Sequence, residues 1–150
     1  MTSAPSQATR FAASPRDVFE RARRSVMSYD ANGFADLFAS DGIMEFPFGG
    51  GAVGLPACLE GREQIRRHMT SALTRSWESG RRFLGYDDLV VHETGDPEVI
   101  IVEFDLHGQT PAGQTYQVPY VQVFRVRDGE IVSMRDYFSS ERLAAVLAAT

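Results

Sequence analysis

Asp136 is the residue whose setting points most directly to chemistry. It lies in residues 132–138, which alternate like a β-strand and place on one face Val132, Met134, Asp136 and Phe138. A carboxylate that faces an apolar interior is unfavourable unless it is hydrogen bonded, and its pKa rises toward the range useful for proton transfer. The alternative is an acid at the edge of the sheet, solvated or paired with an arginine.

His68 is a second candidate, within a predicted helix over residues 61–73. The inner stripe of this helix has the i, i+3, i+4, i+7 spacing of an amphipathic helix and consists of Ile65, His68, Met69, Ala72 and Leu73. A lone histidine in such a stripe is more often a satisfied core residue than a functional one. Its role therefore depends on whether other polar groups converge on it.

Polar side chains also alternate along a predicted strand over residues 99–110. One face carries Ile101, Glu103, Asp105 and His107, and the other carries Val102, Phe104 and Leu106. Taken alone, this is the pattern of a half-buried strand whose polar face meets water. Periodicity does not say which of the two faces meets the interior.

The predicted strand over residues 115–127 groups several aromatic and polar side chains on one face, namely Tyr116, Val118, Tyr120, Gln122 and Phe124. The turn at residues 128–129 decides which of them accompany Asp136. A three-residue loop with a glycine bulge places Tyr120 opposite Asp136. A two-residue turn instead puts Asp136 on the face of Val121 and Val123. Both registers are compatible with the sequence.

The order of elements predicts an α+β domain. Helices are indicated from Ser14, whose side chain can cap the first turn, and then around residues 34–38, 61–73 and 140–148. Strands are predicted over residues 43–48, 83–94, 99–110, 115–127 and 131–138, and a flexible loop over residues 49–61. We expect a curved antiparallel sheet wrapped around the N-terminal helices, a cone with an internal cavity. This single domain would span residues 14–150, after a flexible tail over residues 1–13.

Composition narrows the classes of function. The chain has 150 residues and a net charge of −5, without a basic block, so we expect no nucleic-acid partner. No apolar run resembles a signal peptide or a membrane span, and we expect a cytoplasmic protein without a membrane partner. Metal-binding residue types occur at His68, Glu103, Asp105, His107 and Asp136, but no close spacing such as His-x-x-x-His is present. We therefore expect no metal ion and no other cofactor.

Two segments carry a family resemblance. Residues 61–65, which begin the predicted third helix, and residues 112–138, which form the last two strands, resemble the SnoaL-like enzymes of the nuclear-transport-factor-two-like superfamily. The resemblance extends over nearly all of residues 14–148 and implies a cone-shaped fold. The cone hosts isomerases, cyclases, hydrolases and proteins without enzymatic activity, so it specifies the fold better than the reaction.

Two groups within this superfamily imply site residues. The chain is similar to limonene-epoxide-hydrolase-like proteins around residues 135–138, which implies that Asp105 and Asp136 stand where that family has two catalytic aspartates. Glu103 occupies the position of that family's arginine, and the comparison suggests that Glu103 and Asp105 face inward. The chain also resembles phenazine-biosynthesis members, which implies that His68 and Asp136 are the pocket histidine and the pocket acid. The ketosteroid-isomerase-like base has no counterpart, because Phe46 stands at its position.

These observations predict a cofactor-independent acid/base enzyme that acts on a small, largely apolar metabolite, either a cyclase or an epoxide-opening hydrolase or isomerase. Asp136 would exchange protons with the substrate, His68 would be the complementary acid or base, and Tyr120 would orient the substrate. Glu103 and Asp105 would be like charges nearby. The substrate-binding wall would consist of Phe46, Phe48, Val118, Gln122, Phe124, Met134 and Phe138.

The alternative function is a binding module that holds a hydrophobic ligand or a partner protein without chemistry. We also expect a homodimer, because the superfamily commonly pairs through the outer face of the sheet. Val121 and Val123 would be apolar on that face, and an exposed apolar strand surface is usually covered.

Overall fold

The computed structural model describes residues 12–150, so most of the predicted tail over residues 1–13 lies outside the described residues. The chain forms helix α1 (Pro15–Met27), α2 (Ala31–Ala35), strands β1 (Phe38–Glu45) and β2 (Cys58–Glu60), and helix α3 (Arg62–Glu78). Strands β3 (Arg82–Glu93), β4 (Val99–Gln109), β5 (Thr115–Arg127) and β6 (Glu130–Phe138) follow, and helix α4 (Ser140–Ala148) ends the domain. The expected α+β class is confirmed.

The first helix begins where the sequence predicts it. The Ser14 side chain accepts a hydrogen bond from the Asp17 backbone N–H, and the Asp17 carboxylate accepts one from the Ser14 N–H. This reciprocal capping box, with Pro15 in the first turn, satisfies N–H groups that a helix start leaves free. The helix buries Val18 and Phe19 against the sheet, and the Phe19 ring packs edge-on against that of Phe124 at 5.7 Å.

The six strands form one open, mixed sheet in the order β2-β1-β6-β5-β4-β3. Strands β3 to β6 form the predicted antiparallel meander, whereas β1 runs parallel to β6. The first strand differs from the prediction, since it begins at Phe38 and ends before Phe46. Phe38 was placed in the second helix by its apolar spacing, but it pairs with Ile131 and is fully buried.

The connection predicted as a loop over residues 49–61 contains a short strand. Residues 58–60 pair antiparallel with β1, and Leu59 lies opposite Met44. The third helix is also longer than predicted, since it continues to Glu78. Within residues 12–150, no helix combines the length and the apolarity that crossing a membrane requires.

The register between β5 and β6 differs from both alternatives that the sequence allowed. Asp128 and Gly129 form a two-residue turn with φ angles of 51° and 77°, as a type I′ turn requires. The pairing then shifts between Val126 and Arg125, because Val132 is an extra residue in β6. This bulge reverses the alternation, so the expectation that a two-residue turn puts Asp136 on the face of Val121 and Val123 is wrong.

After the bulge, Asp136 pairs with Gln122, Met134 with Phe124, and Phe138 with Tyr120. The side chains face as in the other predicted register, but the pairing is displaced by two residues, because Asp136 lies opposite Gln122 and not Tyr120. Asp136 and Gln122 therefore lie side by side on the face of the sheet that the helices cover.

Gly129 allows a test of this turn. Its φ of +77° lies in the left-handed region, so Gly129→Ala is expected to lower the free energy of unfolding by about 1–2 kcal/mol. The control is Gly95→Ala, where an added Cβ meets nothing within 4 Å and φ is outside that region. Urea unfolding should show the control within about 0.5 kcal/mol of the wild type. Equal effects of the two substitutions would contradict the assigned turn geometry.

Candidate active site

A cavity of about 430 Å³ lies between the helices and the inner face of the sheet. This volume suits a small organic molecule. The wall includes inward-facing side chains of the long strands and side chains of α1, α3 and α4. Of the predicted substrate-binding residues, it contains Phe46, Val118, Gln122, Phe124 and Met134. Asp136, His68 and Tyr120 also line it, so one space brings together three of the predicted polar groups.

Asp136 is the acid of this cavity. Its side chain is only 8% exposed, and its Oδ1 accepts a hydrogen bond of 2.9 Å from Nε2 of Gln122. Within residues 12–150, no group donates a hydrogen bond to Oδ2. Every fully buried side-chain oxygen in these residues has a hydrogen-bond partner, so Oδ2 is not fully buried. Oδ2 therefore keeps exposed surface toward the cavity. Burial raises the pKa of Asp136 to about 7, although the hydrogen bond from Gln122 acts in the opposite direction.

Two tyrosines stand near this acid in an aromatic stack. The Phe104 ring lies between them, at 5.3 Å from Tyr120 and 4.1 Å from Tyr86, and both pairs are nearly parallel. Burial raises the pKa of both phenols, and the negative charge of Asp136 raises it further. Both hydroxyls therefore stay protonated at neutral pH. In the described residues neither hydroxyl has a hydrogen-bond partner and neither is fully buried, so both are available to a ligand.

His68 faces the same cavity from α3. Its ring packs 5.5 Å from that of Phe46 and is half-buried. Burial lowers the pKa of His68, and the positive charge of Arg75 lowers it further, so the imidazole is neutral at neutral pH. No hydrogen bond joins His68 to Asp136 or to any other group within residues 12–150.

The expectation that Glu103 and Asp105 face the interior is wrong. In the pairing of β4 with β5, Val102 lies opposite Gln122 and Phe104 opposite Tyr120, so the even-numbered residues of β4 point to the cavity. The odd-numbered residues point outward. Glu103 makes a 2.6 Å contact with Nε2 of His92 there, and His107 lies 3.3 Å from Asp87. Neither acid can act as a like charge beside Asp136 in the cavity.

Two predicted wall residues also lie elsewhere. Phe48 follows the end of β1, so the strand alternation no longer applies to it. Its side chain is 59% exposed, and its ring contacts that of Tyr137. Phe138 is buried beside Tyr120, with ring centroids 5.6 Å apart, but it does not line the cavity.

Some wall residues were not predicted as site residues. They include Tyr86 from β3, Leu143 and Val146 from α4, and the arginines Arg23, Arg75 and Arg81. A signal for Arg75 was available, because it stands seven residues after His68 and so on the same helix face. No group of three or more histidine, cysteine, aspartate or glutamate side chains in residues 12–150 is arranged to hold a metal ion.

The fold and the site define an α+β cone with an apolar internal cavity that holds a few polar groups. Residues 19–134 match the SnoaL-like domain family, and the chain belongs to that family, as the sequence resemblance predicted. An uncharacterized PhzA/B-like protein of Pseudomonas aeruginosa is 32% identical over 133 residues, which cover 85% of each chain.

Solved structures share the fold. A proposed isomerase from Bacillus subtilis superposes with a TM-score of 0.76 at 20% identity, covering 90% of this chain and 93% of that one. A proposed polyketide cyclase from Pseudomonas putida superposes with a TM-score of 0.66 at 19% identity, covering 90% of this chain and 98% of that one. At such identities the likeness establishes the fold alone.

The raised pKa of Asp136 should appear in the pH dependence of stability. A carboxyl whose pKa rises from 3.8 unfolded to about 7 folded binds its proton more tightly in the native state. Below pH about 4 this carboxyl is mostly protonated in both states and does not destabilise the fold. As the pH rises to about 7, it lowers the free energy of unfolding increasingly. Asp136→Asn removes this dependence while keeping the shape of the side chain. The variant should gain free energy of unfolding relative to the wild type across that window, by up to about 4 kcal/mol.

Urea unfolding between pH 4.5 and 8.5 measures this difference. The matched control is Asp105→Asn, the same chemical change on the outer face of the sheet, which separates the effect of the buried position from that of the substitution itself. An Asp136→Asn difference that stays constant with pH would contradict the placement of an ionisable group in an apolar wall.

Proposed function

We propose that this protein is a cofactor-independent enzyme in which Asp136 acts as a general base on a small, largely apolar metabolite. The ionised carboxylate takes a proton from the nucleophile, either a carbon acid, a hydroxyl of the substrate or a water molecule. The activated nucleophile then closes a ring or opens an epoxide, and the protonated Asp136 returns the proton to the product. The reaction needs no external oxidant or reductant.

The observation that carries this proposal is the setting of the Asp136 carboxyl. Gln122 holds one oxygen, the second oxygen is exposed toward the cavity, and burial brings the pKa to about 7. A base whose pKa lies near the working pH combines a useful ionised fraction with a strong affinity for the proton. A carboxylate with an ordinary pKa would be a much weaker base.

The surrounding groups have complementary roles in this proposal. Tyr120 stays protonated, so its hydroxyl can donate a hydrogen bond to an oxygen on which negative charge develops. Neutral His68 can accept a second proton or orient a hydroxyl of the substrate. The apolar remainder of the wall excludes water, which strengthens each of these interactions. Membership of the SnoaL-like family and the fold shared with a proposed cyclase and a proposed isomerase are consistent with this class of reaction.

Substitution of the base tests the proposal. A panel of aromatic polyketide-like ring precursors and small epoxides, followed by mass spectrometry, would first identify a substrate. Asp136→Asn should then reduce kcat by about 100- to 10,000-fold, the usual contribution of a general base. Asp105→Asn is the matched control and should retain kcat. Full turnover by a folded Asp136→Asn protein would remove Asp136 from the reaction, and binding without turnover by the wild type would favour the binding module.

The pH profile gives a separate test of the direction of proton transfer. Because the base must be ionised in the free enzyme, kcat/KM should rise with pH and level off above about 7, the pKa of Asp136. The profile of a Gln122→Leu variant should move to higher pH, because it loses the hydrogen bond that favours the ionised form. A profile that falls through pH 7 would assign Asp136 the role of an acid.

We also propose that the protein is a homodimer that pairs through the outer face of the sheet. Val90 and Val121 flank Glu103 there in register and are 46% and 37% exposed, which places two exposed apolar side chains on that face. Sedimentation velocity should give twice the mass of the chain, and Val121→Glu should shift the population toward the monomer. A monomer at micromolar concentration would contradict the proposal.

A further inference from the structure

The charged groups of the cavity wall are not balanced. Among the wall residues that the structure describes, Asp136 is the only acid, whereas three arginines contribute, from α1, from α3 and from the connection before β3. This excess of positive charge occurs in a chain whose net charge is −5. All three arginines nevertheless border a mostly apolar space.

One of the three arginines is neutralised within the protein. Arg23 donates two hydrogen bonds to Oε2 of Glu20, at 3.1 and 2.8 Å. Arg75 and Arg81 differ, because within residues 12–150 no carboxylate lies within ion-pair distance of either. The guanidinium of Arg81 makes only a long contact of 3.5 Å with the Leu147 carbonyl. Two positive charges at the cavity therefore have no counter-ion in the described part of the chain.

The helix geometry separates Arg75 from His68 along the cavity wall. His68, Ala72, Arg75 and Ser76 all contribute to the wall and share one face of α3. At a rise of 1.5 Å per residue, Arg75 lies about 10 Å along the helix axis from His68. Arg75 is exposed and Arg81 is half-buried, whereas Asp136 is buried, so the two arginines mark the solvent side of the cavity.

We propose that Arg75 and Arg81 form an anion-binding entrance, and that the substrate is an amphipathic organic acid whose ionised group binds there while its apolar ring system extends toward Asp136. This inference rests on the proposed function for the reacting end and adds the class of substrate. Guanidinium groups suit a carboxylate or another planar oxyanion, which they can bind through two parallel hydrogen bonds.

A bound anion would also act on the rest of the site. The charge of Arg75 helps to lower the pKa of His68, and the charge of Arg81 opposes the raised pKa of Tyr116. An anion on the two guanidinium groups would offset these fields, so His68 would bind a proton more readily in the complex than in the free protein. The anchor would bind the end of the substrate that does not react, so its loss should raise KM.

A pair of fluorescent probes tests the anion preference without any need for turnover. The probes are 1-anilinonaphthalene-8-sulfonate and N-phenyl-1-naphthylamine, which share one ring system and differ by the sulfonate. In the double variant Arg75→Gln/Arg81→Gln, the Kd for the sulfonate should rise about tenfold or more, as expected for the loss of charge-assisted hydrogen bonds. The Kd for the neutral probe should change by less than about twofold, since its apolar contacts remain.

The control is Arg67→Gln/Arg135→Gln, which removes the same two charges from exposed positions outside the cavity wall. It should leave both Kd values close to those of the wild type. Competition between the two probes is also expected, since one cavity binds both. A sulfonate Kd that is equal in the two double variants, or a sulfonate probe that the neutral probe does not displace, would overturn the proposal.

The outcome is independent of the test of catalysis. If Asp136→Asn kept full turnover while Arg75→Gln/Arg81→Gln lost the sulfonate preference, the general base would be wrong and the anion entrance would stand. The opposite pair of results would leave the base in place with a neutral class of substrate.

Discussion

The placement of Asp136 on the inner face depends on the register between the last two strands. The type I′ turn at residues 128–129 alone would turn this acid to the outer face, and the extra residue at Val132 turns it back. The same register places Gln122 beside it, where the amide donates the hydrogen bond that makes a buried carboxyl tolerable. Without the bulge, the cavity would be an apolar space without an acid.

Around that acid the wall divides into two regions. Near Asp136 the wall is aromatic, and both tyrosines keep their protons. The wall also contains His68, which is uncharged at neutral pH. Toward solvent the wall carries Arg75 and Arg81, for which residues 12–150 provide no counter-ion. An apolar interior raises the affinity of the carboxylate for a proton, and the charged entrance can orient a substrate by its ionised end. In the functions that we propose, the first region transfers protons and the second recognises the substrate.

Much of this arrangement follows from local periodicity in the sequence. A period of two puts Tyr120, Gln122 and Phe124 on one face, and a period near 3.6 puts His68 on the inner face of α3. The inward face of β4 does not follow, because Phe104 and Asp105 have equally regular patterns and only pairing with β5 decides between them. The bulge at Val132 is likewise a property of two strands together. Arg75 was not predicted as a site residue, since a helix pattern does not reveal whether a cavity opens beside a charged residue.

The most direct test of this account is the pKa of the Asp136 carboxyl itself. Carbon-13 NMR of the side-chain carboxyl, assigned by comparison with Asp136→Asn, would follow its ionisation between pH 3 and 9. The structure predicts a midpoint of about 7. A midpoint near the ordinary value of 3.8 would mean that the carboxyl is solvated, and the proposed base would then lack the property on which its role depends.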